Sequence, residues 1–180
     1  LRRKGISMIY SEDFEKFMTA ACSCGLNEKI SLLRRVPAFG SVPIDQLKVL
    51  ASLCPCKTYQ GGEFVFRQGT YDTNGYILKI GRIRMIRHYK DRSFIVKELE
   101  VDEFFGGLAL LADIKRLFSA YAVETSTCLV VPRDVFKKFV IQFPEVSLRM
   151  LEIMVKRIAA MEDRFMELYV EEIKGGEMLY

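Results

Sequence analysis

Three textures of apolar and polar positions follow one another along the chain. In the first, apolar residues recur every three or four places. Ser11-Glu12-Asp13 offers a capping hydroxyl and an acidic first turn. Behind it Phe14, Phe17, Met18 and Ala21 keep the i, i+3, i+4, i+7 spacing of one buried helical stripe. Gly25 ends that predicted helix, and Asn27 is placed to cap a second one running to about Arg35. Val36-Pro37 and Val42-Pro43 interrupt the pattern. Pro43 suits the first position of a third, short helix whose apolar face is Leu47, Leu50 and Ala51.

From Lys57 to Val131 the period shortens, and β-rich runs alternate with glycine turns. The runs are 64–66, 76–80, 83–86, 94–99, 121–123 and 128–131. Short strands spaced by roughly 8–12 residues predict a mainly β fold, a small sandwich or barrel of the β-roll (double-stranded β-helix, jelly-roll-like) kind with flanking helices. After Pro132 the helical period returns in Phe136, Phe139, Val140 and Phe143. Pro144-Glu145 then opens a long helix to about Glu172, with Leu148, Leu151, Val155, Ile158, Met161, Phe165 and Leu168 at three- and four-residue steps. Such a helix of about 28 residues would reach ~42 Å, longer than a core of this size needs. Its seam serves either packing within the chain or a dimer. The predicted organisation is a helical segment 1–35, a β-roll with adjacent helices 36–143, a long helix 144–173 and a tail 174–180.

Composition narrows the class. With 180 residues, 50% hydrophobic and 28% charged, the chain has room for one globular domain plus one extra element and excludes a disordered array. No apolar run reaches the ~18 residues of a membrane span. The basic Leu1-Arg2-Arg3-Lys4 is not followed by a signal-peptide core, so a cytoplasmic protein is expected. Leu1 is not an initiating residue, so a trimmed N-terminus is expected as well. Five cysteines, an odd number, argue for thiols over a disulfide framework. One histidine and no tryptophan leave little for a His-based metal site or an acid–base enzyme, and no nucleophile–base pair emerges, so no enzyme is expected. The net charge of +4 divides into −3 over residues 145–180 and +7 before them, a basic body that suits an anionic small ligand as well as nucleic acid.

Candidate chemistry concentrates in Glu103-Phe104-Phe105-Gly106-Gly107-Leu108-Ala109-Leu110-Leu111, followed by Arg116-Leu117-Phe118-Ser119-Ala120. Two glycines before a short apolar turn let backbone approach a ligand and present successive amides, and Arg116, nine residues beyond Gly107, can return to the same place as a bidentate cation. From the residues alone this is a phosphate cradle with one counter-charge, or an ordinary loop.

The sequence resembles the cyclic nucleotide-binding domain of the Crp/Fnr (catabolite activator-like) family over roughly residues 30–168. The resemblance is carried by Gly62-Glu63-Phe64-Val65-Phe66-Arg67-Gln68-Gly69, Gly75 to Ile83, Phe104 to Leu111, Arg116, Val130-Val131-Pro132-Arg133 and Phe143-Pro144-Glu145. Gly62, Gly69, Gly81 and Gly106 stand where that family's β-roll turns are expected. The resemblance implies an anion site built from Gly106, Gly107, Leu108, Ala109, Arg116, Phe118 and Ser119, with cAMP or cGMP as effector and no required cofactor. It also implies a homodimer through the 144–173 helix, whose shift would relay binding, in the manner of the sensor part of a transcriptional regulator.

The match departs from the family at two positions. The family's Phe-Gly-Glu-Leu-Ala reads Phe105-Gly106-Gly107-Leu108-Ala109, so Gly107 replaces the glutamate that binds the ribose 2′-hydroxyl. The family's Arg-x-Ala-Ser/Thr reads Arg116-Leu117-Phe118-Ser119, so Phe118 replaces a small alanine. A lost charged contact costs more than about 1 kcal/mol. Three readings stay open: weakened cAMP or cGMP binding, a retuned anionic or aromatic ligand, or a degenerate structural module closed by Phe118 with Arg116 paired to Glu103 or Glu124.

Other motifs weigh less. Cys22-Ser23-Cys24 and Cys54-Pro55-Cys56 are two C-x-C pairs, candidates for zinc, an iron–sulfur cluster or redox sensing, with small buried thiols as the alternative. His88 reads as a solvated strand-end residue, and the alternating Arg82 and Arg84 as a solvated sheet face. Eight residues follow Glu172, too few for a DNA-reading helix pair, so no specific DNA binding is expected of this chain.

Overall fold

The computed structural model describes residues 24–175, with side chains as far as Val170. The predicted helix behind Ser11 lies outside them. Three of the elements are sheet-covering helices: α1 (Leu26–Arg35), α2 (Ile44–Leu53) and, after the strands, α4 (Arg133–Gln142). Between α2 and α4 come β1 (Cys56–Tyr59), β2 (Phe64–Phe66), β3 (Gly75–Ile80), β4 (Ile83–Tyr89), β5 (Arg92–Leu99), β6 (Phe104–Phe105), the single turn α3 (Leu108–Leu111), β7 (Ser119–Ala122) and β8 (Ser126–Val131). The long helix α5 (Pro144–Gly175) closes the series. The strands form two four-stranded antiparallel sheets, ordered β1-β8-β3-β6 and β2-β7-β4-β5. This is the β-roll expected from the sequence.

Strand period 2 explains how one sheet serves two cores. On β3 and β8, Tyr76, Leu78, Cys128 and Val130 point into the roll, where they meet Tyr59, Phe66, Ile83, Leu99 and Phe105. Their neighbours Ile77, Leu129 and Val131 point the other way, into a helical core with Leu33, Phe39, Leu47, Leu50, Phe136, Val146 and Met150. With both faces covered, these strands read as continuous apolar runs rather than as alternation.

Boundaries differ from the sequence reading where backbone alone decides them. Gly25, not Asn27, is the N-cap of α1: its carbonyl accepts the Glu28 and Lys29 amides, and Asn27 falls inside the first turn. Gly25 is extended (φ −60°, ψ 147°), so it opens this helix. Pro43 is itself the N-cap of α2, one position before the one predicted. Two strands were not legible, β1 and the two-residue β6, because neither carries a run of apolar residues on one face long enough to show. Gly62, Gly69, Gly81 and Gly106 all have positive φ. At Gly81 a Cβ would come within 2.7 Å of the Ser126 backbone, so this tight β3–β4 turn demands glycine twice over.

The long helix changes character along its length. Val146 and Met150 in its first two turns are 0% and 2% exposed. Leu148 on another face, and Leu151, Val155, Ile158, Met161, Phe165 and Leu168 further along, are each more than half exposed. Among the described residues no helix is long and apolar enough to cross a membrane.

Candidate functional site

The turn that follows β6 places the cassette, the Gly106–Ala109 segment to which Arg116 returns. Gly106 takes φ +74°, and a Cβ there would lie 2.8 Å from the Arg116 Nη1 and 3.3 Å from the Asn74 carbonyl oxygen. Glycine therefore lets the guanidinium pack onto the backbone. Gly107 is the N-cap of α3, and the Ala109 and Leu110 amides are taken by the Gly106 and Gly107 carbonyls at 3.3 and 3.1 Å. Ala109 and Leu110 are buried, while Leu108 is 40% exposed.

Arg116 is the centre of the site. It is 6% exposed, a rare position for a charged side chain. Its Nη1 donates to the Gly106 carbonyl at 2.8 Å, and its Nη2 donates to the Asn74 carbonyl and to Asp72 Oδ1. Its guanidinium carbon stands 4.0 Å from the Phe66 ring centroid and 5.8 Å from that of Tyr76. Nε is buried with no hydrogen-bond partner. The backbone is tied at the same place, with the Arg116 amide on the Thr70 carbonyl and the Gly69 amide on the Arg116 carbonyl, at 2.9 and 2.8 Å.

The acidic partner is thus Asp72, not Glu103 or Glu124. Glu103 is engaged by Lys97 and accepts the Glu100 amide at 2.9 Å; burial alone would raise its carboxyl, but these bonds together with the Lys97 and Arg157 charges hold it below the usual range. Glu124 lies in the β7–β8 turn. Asp72 also accepts the Tyr76 hydroxyl at 2.8 Å and, through Oδ1, the Asn74 amide at 3.0 Å. Burial, reinforced by the Asp72 charge, pushes the Tyr76 phenol far above its ordinary value. Tyr76, Phe105 and Phe66 form a ring cluster with centroids 5.3–6.0 Å apart, the floor under Arg116. Asp72, Asn74, Tyr76 and Phe66 were missed from the sequence. The one available signal was Asp72-Thr73-Asn74 before a strand, the composition of an Asx turn.

Ser119 and Phe118 sit beside this cluster in different roles. Ser119, at the start of β7, is 2% exposed, and its hydroxyl accepts the Gln68 amide at 2.9 Å. Gln68 in turn clamps His88, donating to its carbonyl at 2.9 Å and accepting its amide at 2.7 Å. His88 is exposed near the end of β4, with its Nδ1 2.8 Å from the Ser93 hydroxyl. Phe118 is half-buried, with the Arg87 guanidinium 5.7 Å from its ring centroid, and Arg87 also donates to the Leu117 carbonyl. Arg84 and Arg82 are balanced across the sheet by Glu98.

Gly107 owes its identity to a neighbour. Its backbone is ordinary helix (φ −62°, ψ −24°), but a Cβ would fall 2.5 Å from Phe104 Cε1. The other edge of the same ring lies 3.0 Å from where a Gly75 Cβ would be. Phe104 is therefore wedged between two glycines and occupies the space a larger residue at 107 would need.

The cysteines correct the expectation of free thiols. Cys24 and Cys56 form a disulfide, their Cα atoms 6.4 Å apart, while Cys54 and Cys128 are free and buried. Cys22 lies outside the described residues. A four-thiolate metal set is not assembled, because two of its members are spent on each other, and among the described residues no cluster of His, Cys, Asp and Glu could hold a metal. A separate recess lined by Gly81, Arg82, Glu98, Leu99, Glu100 and Val101 involves none of the cassette residues.

The fold has counterparts among known proteins. The family model for the cyclic nucleotide-binding domain matches residues 56–143. The mouse cGMP-dependent protein kinase 2 is 27% identical over 139 residues, covering 76% of this chain but 18% of the kinase. The catabolite activator protein of Thermus thermophilus superposes with a TM-score of 0.70 at 23% identity, over 76% of this chain and 64% of that one. The sensor domain of the transcriptional regulator DNR from Pseudomonas aeruginosa gives 0.68 at 19%, over 77% and 93%. The fold is shared with these two solved structures, and residues 56–143 match the family model of the cyclic nucleotide-binding domain.

Proposed function

We propose that this chain is a non-enzymatic, cytoplasmic ligand-sensing module that binds a small anionic effector, with cAMP and cGMP as the first candidates. Gly106, Gly107, Leu108, Ala109, Arg116, Phe118 and Ser119 would form the site. The observation that carries the reading is Arg116: a buried guanidinium beside the cassette turn, held by a single carboxylate and two carbonyls, with one N–H left unpartnered. A buried cation needs a compensating anion. Asp72 supplies it here, and a cyclic phosphate arriving at the Gly106–Ala109 turn competes for the same guanidinium. Exchange of one anion for the other frees Asp72 and Tyr76, and so perturbs the 67–75 loop that Arg116 ties down. The absence of a carboxylate at 107 removes the contact that would grip a ribose hydroxyl, so binding is expected to be weaker than in relatives that keep it.

The output is proposed to run through α5. Its apolar seam beyond Met150 is exposed along the whole described length, the arrangement of one strand of a two-helix interface. A homodimer through residues 144–173 covers it, with the 36–143 segment as sensor. Calorimetric titration of cAMP and of cGMP into the purified chain tests the ligand. Saturable heat at micromolar nucleotide is expected; no heat at millimolar concentration of either contradicts the nucleotide assignment.

A further inference from the structure

The Cys24–Cys56 bond lies away from the anion site and belongs to none of its machinery. It joins the residue just before the Gly25 cap of α1 to the first residue of β1, across 32 positions of sequence. We propose that this disulfide is a reversible redox modification site, opened by an external dithiol protein of the Cys-x-x-Cys type, which releases the start of α1 from the β-roll.

The surroundings favour exchange at this bond. Cys24 is half-buried and so reachable, whereas Cys56 is 9% exposed and packed in the helical core. Lys79, on the helix-facing side of β3 with 11% of its side chain exposed, points its ammonium at Cys24 Sγ from 3.4 Å and at Glu28 from 3.0 Å. A positive charge at that distance draws an incoming thiolate and stabilises a cysteine thiolate at position 24. The remaining described thiols are excluded: Cys54 and Cys128 are 0% exposed, and burial pushes both up to about 12.

The chemistry balances as a two-electron exchange. A thiolate of the dithiol attacks Cys24 Sγ, and the Cys24–Cys56 bond breaks with Cys56 leaving as thiolate and taking up a proton. The second thiolate of the reductant then attacks its own sulfur in the mixed disulfide, expelling Cys24 as a thiolate beside Lys79. The protein gains two electrons and the reductant becomes a disulfide. Once the bond is open, Glu28 in the first turn of α1 must share Lys79 with the new thiolate.

The full chain, equilibrated in defined mixtures of reduced and oxidised dithiothreitol and quenched with N-ethylmaleimide, gives the test by peptide mass mapping. Hydrogen exchange over residues 26–35 is followed in the same samples. A linked 24–56 peptide is expected under oxidising conditions, with exchange in the first turn of α1 rising on reduction. Cys24→Ser and Cys56→Ser should each show the fast exchange in both buffers. In a separate time course with reduced dithiothreitol, Lys79→Gln should be reduced about threefold more slowly than the parent chain, or slower still. Cys24 and Cys56 both alkylated without reductant, a bond to Cys22 in place of this one, or exchange in α1 that ignores the redox state would each overturn the proposal. An unchanged reduction rate in Lys79→Gln would overturn the part given to the lysine.

Discussion

Phe104 decides what residue 107 can be. Because its ring is wedged between Gly75 and Gly107, Gly107→Glu forces an overlap that the ordinary backbone of that position would not. The substitution is expected to destabilise the chain by about 1–3 kcal/mol, the usual cost of overpacking. Phe104→Ala opens the space, so the double variant Phe104→Ala/Gly107→Glu should lose less stability than the two single losses together. Urea unfolding of all four proteins checks this, and strict additivity would refute the steric account. Two other buried groups set an alkaline limit. Cys54 and Cys128 are held neutral by burial, Cys54 despite the opposing charge of Lys29. Their folded values lie above the unfolded ones, so the stability they contribute is complete below pH 9, and it is lost as pH rises from 9 towards about 12. Each thiol adds a slope of about 1.4 kcal/mol per pH unit in that window. Chemical denaturation between pH 8 and 11 should show the midpoint falling only above 9, and Cys54→Ala should flatten the fall.

Among the elements, α5 makes the sharpest claim. Ile158 is 58% exposed in the middle of the seam, where a carboxylate costs nothing to an isolated helix but disrupts an apolar interface. Ile158→Asp is expected to convert a dimer to a monomer in sedimentation velocity with the helical circular dichroism largely kept; an unchanged oligomer would show that the seam is not the interface. Elements with a clean period were legible from sequence: α4, α5 and the strands around Tyr76–Ile80 and Cys128–Val131 declare themselves by spacing alone. What escaped were features fixed by contacts between distant parts. β1 and β6 exist through pairing with β8 and β3. The disulfide depends on the residue before the α1 cap meeting the first residue of β1, which no count of cysteines reveals. At the site, the glycines and Arg116 were visible as a motif, whereas Asp72, forty-four residues upstream of Arg116, became its partner only through the return of the β2–β3 loop.

At the scale of the whole molecule, the roll and the helices share one sheet, and the candidate site lies where they meet. Tyr76 and Phe105 line the roll beneath Arg116, while Leu110, Ile77 and Leu129 from the same neighbourhood belong to the helical core with Met150 of α5. Leu110 and Met150 thus belong to one contiguous core, the contact that the proposed relay to the long helix would use. The proposed exchange of Asp72 for an anionic ligand at Arg116 is read out by cyclic nucleotide affinity in Arg116→Gln and Asp72→Asn, beside the parent chain. Breaking a buried pair costs about 3–5 kcal/mol of stability, so each variant is first confirmed folded by circular dichroism. Binding is expected to be abolished in Arg116→Gln and tightened, or at least retained, in Asp72→Asn. Affinity in Arg116→Gln equal to that of the parent chain would contradict it.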